Sequence, residues 1–143
     1  MADKTFYVEI VTPYSMFFEG PVEMVVVTCK DGEVGIMPGH ASLVAALVPG
    51  EIRMKVDGQW KSAVATNGYA EIGSELTIIV VNAAEWPEQI DAARAERSLA
   101  RAEARLKDPE TTPQERIRSR HGVERAKARL KVAQKFGRDA IHR

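Results

Sequence analysis

The sequence predicts an α+β protein in two segregated parts: an N-terminal all-β sandwich or flattened barrel, residues 1–86, followed by a C-terminal antiparallel two-helix hairpin, residues 87–143. Three observations carry this expectation. The first part is a series of short strand-like runs separated by turn residues at regular spacing, the pattern of a sandwich or barrel. At Ala83-Ala84-Glu85-Trp86-Pro87 the hydrophobic period changes from two to that of a helix. Charge changes sign at the same place: residues 1–87 hold 5 Lys and Arg against 11 Asp and Glu, a net −6, whereas residues 88–143 hold 15 against 9, a net +6. A formal whole-chain charge of zero hides this split, which points to a basic tail seeking an acidic partner, whether nucleic acid, an anionic protein surface or phosphate.

In the first part, Phe6, Val8 and Ile10 alternate with Tyr7, Glu9 and Val11, and Thr12-Pro13 breaks the run before Met16-Phe17-Phe18. Residues 22–28 then form a β-branched run suited to a sandwich core. The clearest hairpin signal is residues 51–56, the turn pair Asp57-Gly58, and residues 59–64. Asp-Gly is a two-residue turn signal, and it places Ile52, Met54 and Val56 on one face with Arg53 and Lys55 on the other. A further pair, residues 69–72 and 76–81, flanks Gly73-Ser74-Glu75.

In the second part the periodicity predicts a helix over residues 88–107 with an apolar seam of Ala95, Leu99, Ala102 and Leu106, stopped by Pro109. Thr112-Pro113-Gln114-Glu115 is a capping box with proline at the first helical position, so a second helix starts there. Its seam is Val123, Ala126, Leu130 and Ala133, and small residues alternating with leucine let two antiparallel helices approach closely across a connection of 4–6 residues. Four of these eight seam residues are alanine, so their burial contributes little at about 25 cal/mol per Å² against the entropy of ordering two helices. Gly122 lowers helix propensity further, by about 1 kcal/mol relative to alanine. A hairpin of that kind is marginally stable, as a two-state element requires.

Composition excludes several classes. No run approaches the roughly 18 apolar residues of a membrane span, and the chain enters its first strand-like segment without a basic, apolar or cleavage region, which argues for the cytosol. The single cysteine, Cys29, ends an apolar strand and is expected to be an inert, buried thiol. His40, His121 and His142 are far apart, without a second ligand at metal spacing, and no phosphate loop of the Gly-x-x-x-x-Gly-Lys type is present. His40, between Gly39 and Ala41, is expected to be a turn histidine satisfied by backbone groups. No nucleophile–base pair stands out, so the chain is expected not to be an enzyme and to need no obligatory cofactor or metal.

The hairpin carries the remaining chemistry. At about 100° per residue, Arg94, Arg97, Arg101 and Arg105 form one stripe flanking the first seam, with Asp91 one turn before Arg94, while Arg125 and Arg129 are i, i+4 neighbours on the second helix. Packed antiparallel, these arginines can converge on an anion, which guanidinium forks bind bidentately. The plainer alternative is a solvated face of ordinary Asp/Glu–Arg pairs. Nucleic-acid binding is a third, favoured by Lys/Arg density and disfavoured by the lack of interleaved aromatics or a reading motif.

Residues 32–43, Gly-Glu-Val-Gly-Ile-Met-Pro-Gly-His-Ala-Ser-Leu, followed by Pro49-Gly50-Glu51-Ile52-Arg53, resemble the signature of the epsilon subunit of bacterial and chloroplast F-type ATP synthases. Asn67-Gly68-Tyr69-Ala70-Glu71-Ile72 and Ile90-Asp91-Ala92-Ala93-Arg94-Ala95 match as well, so the resemblance spans the chain in order. It implies a non-catalytic regulatory and coupling subunit of the central rotor stalk, peripheral to the cytoplasmic face of the bacterial plasma membrane, without nucleic acid as a partner. The body would bind the gamma subunit and the ring of c subunits, with Glu33 matching the acidic residue of the ring contact. The hairpin would either fold against the body or extend toward the alpha and beta subunits and inhibit ATP hydrolysis. In some bacterial members one regulatory ATP holds the folded form; that motif matches Ile90, Asp91, Arg94 and Ala95, and the other contacts carry over to Glu85, Arg101, Arg125 and Arg129.

Overall fold

Strict alternation builds the first strand, β1 (Phe6–Val11), with Phe6, Val8 and Ile10 buried and the residues between them facing outward. The computed structural model describes residues 4–141 and the side chains of residues 4–136, so His142 lies outside the described residues. Among them, β2 (Met16–Val22), β3 (Met24–Cys29), β4 (Gly32–Ile36), β5 (Leu43–Leu47), β6 (Gly50–Val56), β7 (Gln59–Ala65), β8 (Gly68–Ile72), β9 (Leu76–Val81) and a short β10 (Ala84–Glu85) follow. The run 22–28 is not one strand. Val22 closes β2, and β3 begins at Met24 after Glu23, whose carboxylate turns away to accept the Gly58 N–H at 2.9 Å.

The strands form one continuous ladder in the order β10-β7-β6-β3-β5-β8-β9-β1-β2, with β4 on β3. It folds over at β3, which meets β5 through the single pair Cys29↔Leu47. All pairs are antiparallel except β1–β9. The result is a nearly closed sandwich of two layers. Asp57 and Gly58 both have positive φ, 50° and 76°, the two-residue turn that joins β6 to β7 in register.

Inward faces of both layers meet in one core that includes Val8, Ile10, Val25, Val27, Ile36, Met54 and Ile79, each without solvent exposure. Burying an Ile or Met side chain contributes about 1.5–3 kcal/mol, so this core dominates the stability of the unit. At its border Trp86 stacks on Phe17 with ring centroids 4.5 Å apart and meets Phe18 edge-on. Trp86 is the last residue of the first of two compact units, Met1–Trp86 and Pro87–Arg143.

In the second unit, a 3-10 turn over Pro87–Gln89 precedes α1 (Ala92–Lys107), and α2 (Pro113–Ile141) follows after five residues. Helix α1 therefore starts at residue 92 and not at 88. The reason is local: Asp91 has extended φ and ψ, and its Oδ1 accepts the Arg94 N–H at 3.0 Å, so Asp91 is the N-cap. Helix α2 opens with the reciprocal capping box, Glu115 N–H to Thr112 Oγ1 at 3.2 Å and Thr112 N–H to Glu115 Oε2 at 3.4 Å.

Ala95, Ala102 and Ala126 are buried, and Leu99, Leu106, Val123, Leu130 and Ala133 are half-buried. Ser119 and Val132 are buried in addition, positions that the seam pattern does not single out.

Candidate functional site

Gly122 lies where the helices of the hairpin cross. A Cβ built on it would be 3.7 Å from the Ala102 Cβ and 3.8 Å from Arg125 Nη2. The Arg125 side chain thus leans back by about a turn over the crossing, as helical side chains do. Arg101 precedes Ala102 on α1, so it stands about 100° around the helix from this crossing.

Arg94, Arg97, Arg101 and Arg105 all stand exposed along α1, and Arg125 and Arg129 are half-buried on α2. Arg101 Nη2 donates to Ser98 Oγ at 3.3 Å. Arg94, Arg97 and Arg105 have no carboxylate within ion-pair distance among the described residues. Asp91 is exposed, and with Oδ1 committed to capping, Oδ2 is its remaining acceptor. Ile90 is half-buried in the segment before the cap, with its N–H donated to Pro87 O at 3.2 Å. Glu85 lies on β10, in the first unit, opposite Val64 of β7.

The hairpin tip is built by a residue that the sequence reading missed. Arg116 donates from Nη1 to Leu106 O at 2.9 Å and from Nη2 to Asp108 O at 2.7 Å, while Thr111 Oγ1 donates to Arg105 O at 2.6 Å. These contacts satisfy carbonyls that the end of α1 leaves open. The available signal was a basic residue one turn into the second helix of a tight hairpin.

In the body, Glu33 stands on the outer face of β4, where its Oε2 accepts from Arg53 Nη2 at 2.8 Å. The other layer, β5-β8-β9-β1-β2, presents a different outer face. The register Ala46↔Tyr69↔Val80↔Val11↔Met16 runs across it as a nearly unbroken apolar row. Val44 is 69% exposed and Tyr69 48%, and beside them a cleft of about 410 Å³ is lined by Leu43, Val44, Ile72, Leu76 and Ile78 with Glu71. An exposed apolar row of this kind is a candidate docking surface. Tyr7, on the same face, has its phenol held above the ordinary range by partial burial and then by Glu19 and Glu9.

Other expected groups are placed without function. His40 Nδ1 is 2.7 Å from Ala41 O and its N–H bonds Met37 O, the turn arrangement that the sequence predicts. Cys29 is half-buried and not buried as expected; burial, then Asp31, still pushes its thiol up, away from the reactive thiolate. Among the described residues no group of three or more His, Cys, Asp or Glu side chains is placed to hold a metal ion, and no helix is long and apolar enough to cross a membrane.

An all-β sandwich followed by a basic two-helix hairpin defines the class by its fold. Two family models match in sequence, the β-sandwich domain of the ATP synthase delta/epsilon chain over residues 5–87 and its long α-helix domain over residues 88–134. The ATP synthase epsilon chain of Caldanaerobacter subterraneus subsp. tengcongensis is 42% identical over 135 residues, covering 94% of this chain and 97% of that one. That of Synechococcus sp. is 34% identical over 126 residues, covering 87% and 93%. A chain in the Euglena gracilis mitochondrial ATP synthase (OSCP/F1/c-ring) shares the fold at TM-score 0.79 and 22% identity, over 91% of this chain and 81% of its own. The chain belongs to the ATP synthase delta/epsilon chain family, as an epsilon-type, non-catalytic subunit.

Proposed function

We propose that the chain is the regulatory and coupling subunit of the rotor stalk in an F-type ATP synthase on the cytoplasmic face of a bacterial plasma membrane. The observation that carries the coupling role is the apolar outer face of the β5-β8-β9-β1-β2 layer, a surface suited to a permanent partner. Gamma is that partner in this reading, and Glu33 meets the c ring. The fold is also shared by a chain in the central stalk and c-ring of the Tetrahymena thermophila mitochondrial ATP synthase, at TM-score 0.69 and 12% identity, over 93% of this chain and 99% of its own.

The hairpin is the switch. Its alanine seam supports a folded state only weakly, and its arginine stripe suits two acidic targets, a nucleotide in the folded state and acidic segments of the alpha and beta subunits in the extended one. ATP, held by Asp91, Arg94, Arg101, Arg125 and Arg129 beside Ile90, shifts the hairpin toward the folded state by its differential affinity.

Two measurements test this reading. Val44→Glu combined with Tyr69→Glu should abolish association with gamma, while removal of residues 88–143 should leave association intact and raise ATP hydrolysis by the assembled complex; intact binding in the first or unchanged hydrolysis in the second refutes coupling or inhibition respectively. For ATP, calorimetry should show binding that Arg94→Ala removes. Asp91→Ser is the informative partner, because serine keeps the helix cap and loses the carboxylate. A flat titration of the unaltered protein at millimolar ATP rules the site out.

A further inference from the structure

Glu33 and Arg53 are on different strands, β4 and β6, with β3 between them. Glu33 is paired with Thr28, and Arg53 with Val26. Arg53 therefore reaches diagonally across β3 to make its 2.8 Å contact with Glu33 Oε2. It does not swing freely. Its guanidinium lies over the Trp60 ring, 5.9 Å from the centroid, and its Nε is buried without an acceptor. Lys55, two residues further along β6, is drawn to Glu23 at 3.7 Å. Glu33 itself is 54% exposed, and its other oxygen, Oε1, has no described partner. A carboxylate with one oxygen fixed by a clamped guanidinium presents its second oxygen in one direction, and ordering that side chain is then no longer charged to the binding step.

We propose that Arg53, braced on Trp60, is the positioning residue that aims Glu33 at a cationic side chain, guanidinium or ammonium, on a loop of its partner. This deepens the reading that Glu33 meets the c ring and rests on it. The partner is a cation because the unfilled site is an ionised acceptor on a body of net charge −6 over residues 1–87, and Arg53 adds direction without removing the second acceptor.

The test is the affinity of the full chain for a detergent-solubilised complex of gamma and the c ring, at low and moderate salt, with the thermal midpoint of each variant alone as a check on folding. Glu33→Gln should weaken binding about tenfold and flatten its salt dependence. Arg53→Gln should weaken it about three- to tenfold while keeping the salt dependence, because the Glu33 charge remains. Arg53→Lys, which keeps the charge but loses the planar fork and most of the stack, should fall between Arg53→Gln and the unaltered chain. The double variant Glu33→Gln/Arg53→Gln should be no weaker than Glu33→Gln alone, since Arg53 acts through Glu33.

Unchanged or tighter binding by Arg53→Gln, or additive losses in the double variant, overturns the positioning role. If Arg53→Gln does not fold, full affinity in Arg53→Lys overturns it instead. Unchanged binding by Glu33→Gln removes the ring-contact reading itself, a separate outcome.

Discussion

In the body, Ile10 and Ile79 are partners on adjacent strands with no exposure at all, whereas at the crossing of the hairpin the facing residues are Ala102 and Gly122. Both units are held by apolar contact, but a buried isoleucine brings more side chain into that contact than an alanine or a glycine does. The body is also tied by pairings distant in sequence, such as β1 with β9, while the hairpin joins neighbours through a five-residue turn. In the function proposed above, a frame that keeps two docking faces in place needs the first kind of stability. A segment that changes partners needs the second, where local opening takes little free energy.

The tryptophans separate the two units experimentally. Trp60 and Trp86 both lie in the body, so tryptophan fluorescence follows its unfolding, while helical circular dichroism follows the hairpin. The hairpin signal should be lost at lower urea than the tryptophan signal; coincident transitions would break the comparison. The largest single effect is expected from Gly68→Ala. A Cβ there overlaps the Val80 carbonyl on the paired strand, so backbone must shift, and the body should lose about 3 kcal/mol or more, read as a lower fluorescence midpoint.

Arg116→Ala comes next. Removing the bidentate clamp on Leu106 O and Asp108 O should destabilise the hairpin by about 1–2 kcal/mol and move only the circular-dichroism transition. A shift of the fluorescence midpoint by the same amount would show that the units do not open separately.

Two smaller changes sharpen the contrast by stabilising one unit each. Thr77 is fully buried in the body with no partner for Oγ1, so Thr77→Val should raise the fluorescence midpoint, by about 1 kcal/mol. Gly122→Ala places a methyl at ordinary contact distance from Ala102 and restores helix propensity, a gain of about 0.5–1 kcal/mol confined to the hairpin. In the proposed switch this variant should also weaken inhibition of hydrolysis, because it favours the folded hairpin.

Much of the fold was legible because the deciding interactions are short in range. Asp57-Gly58 specifies its turn from two φ preferences, Thr112 and Glu115 cap a helix from within one turn, and alternation in β1 sorts its own faces. The start of α1 was misplaced by four residues because periodicity continues through the 3-10 turn, and only the extended backbone of Asp91 shows that the residue is a cap. Of the candidate site, the arginine stripe on α1 followed from helical spacing. The capping use of the Asp91 carboxylate and the leaning of Arg125 over Gly122 did not, since each depends on where one side chain finds a neighbour.

The sequence by itself determined the two-part architecture, the sign of charge on each part and the thinness of the hairpin seam, since these rest on composition, period and residue volume. Only the tertiary structure decided that β3 joins the two layers, that one outer face carries an exposed apolar row, and that Arg53 braced on Trp60 holds Glu33. Those outcomes depend on register between strands distant in the chain, where a shift of one residue would turn every side chain to the opposite face.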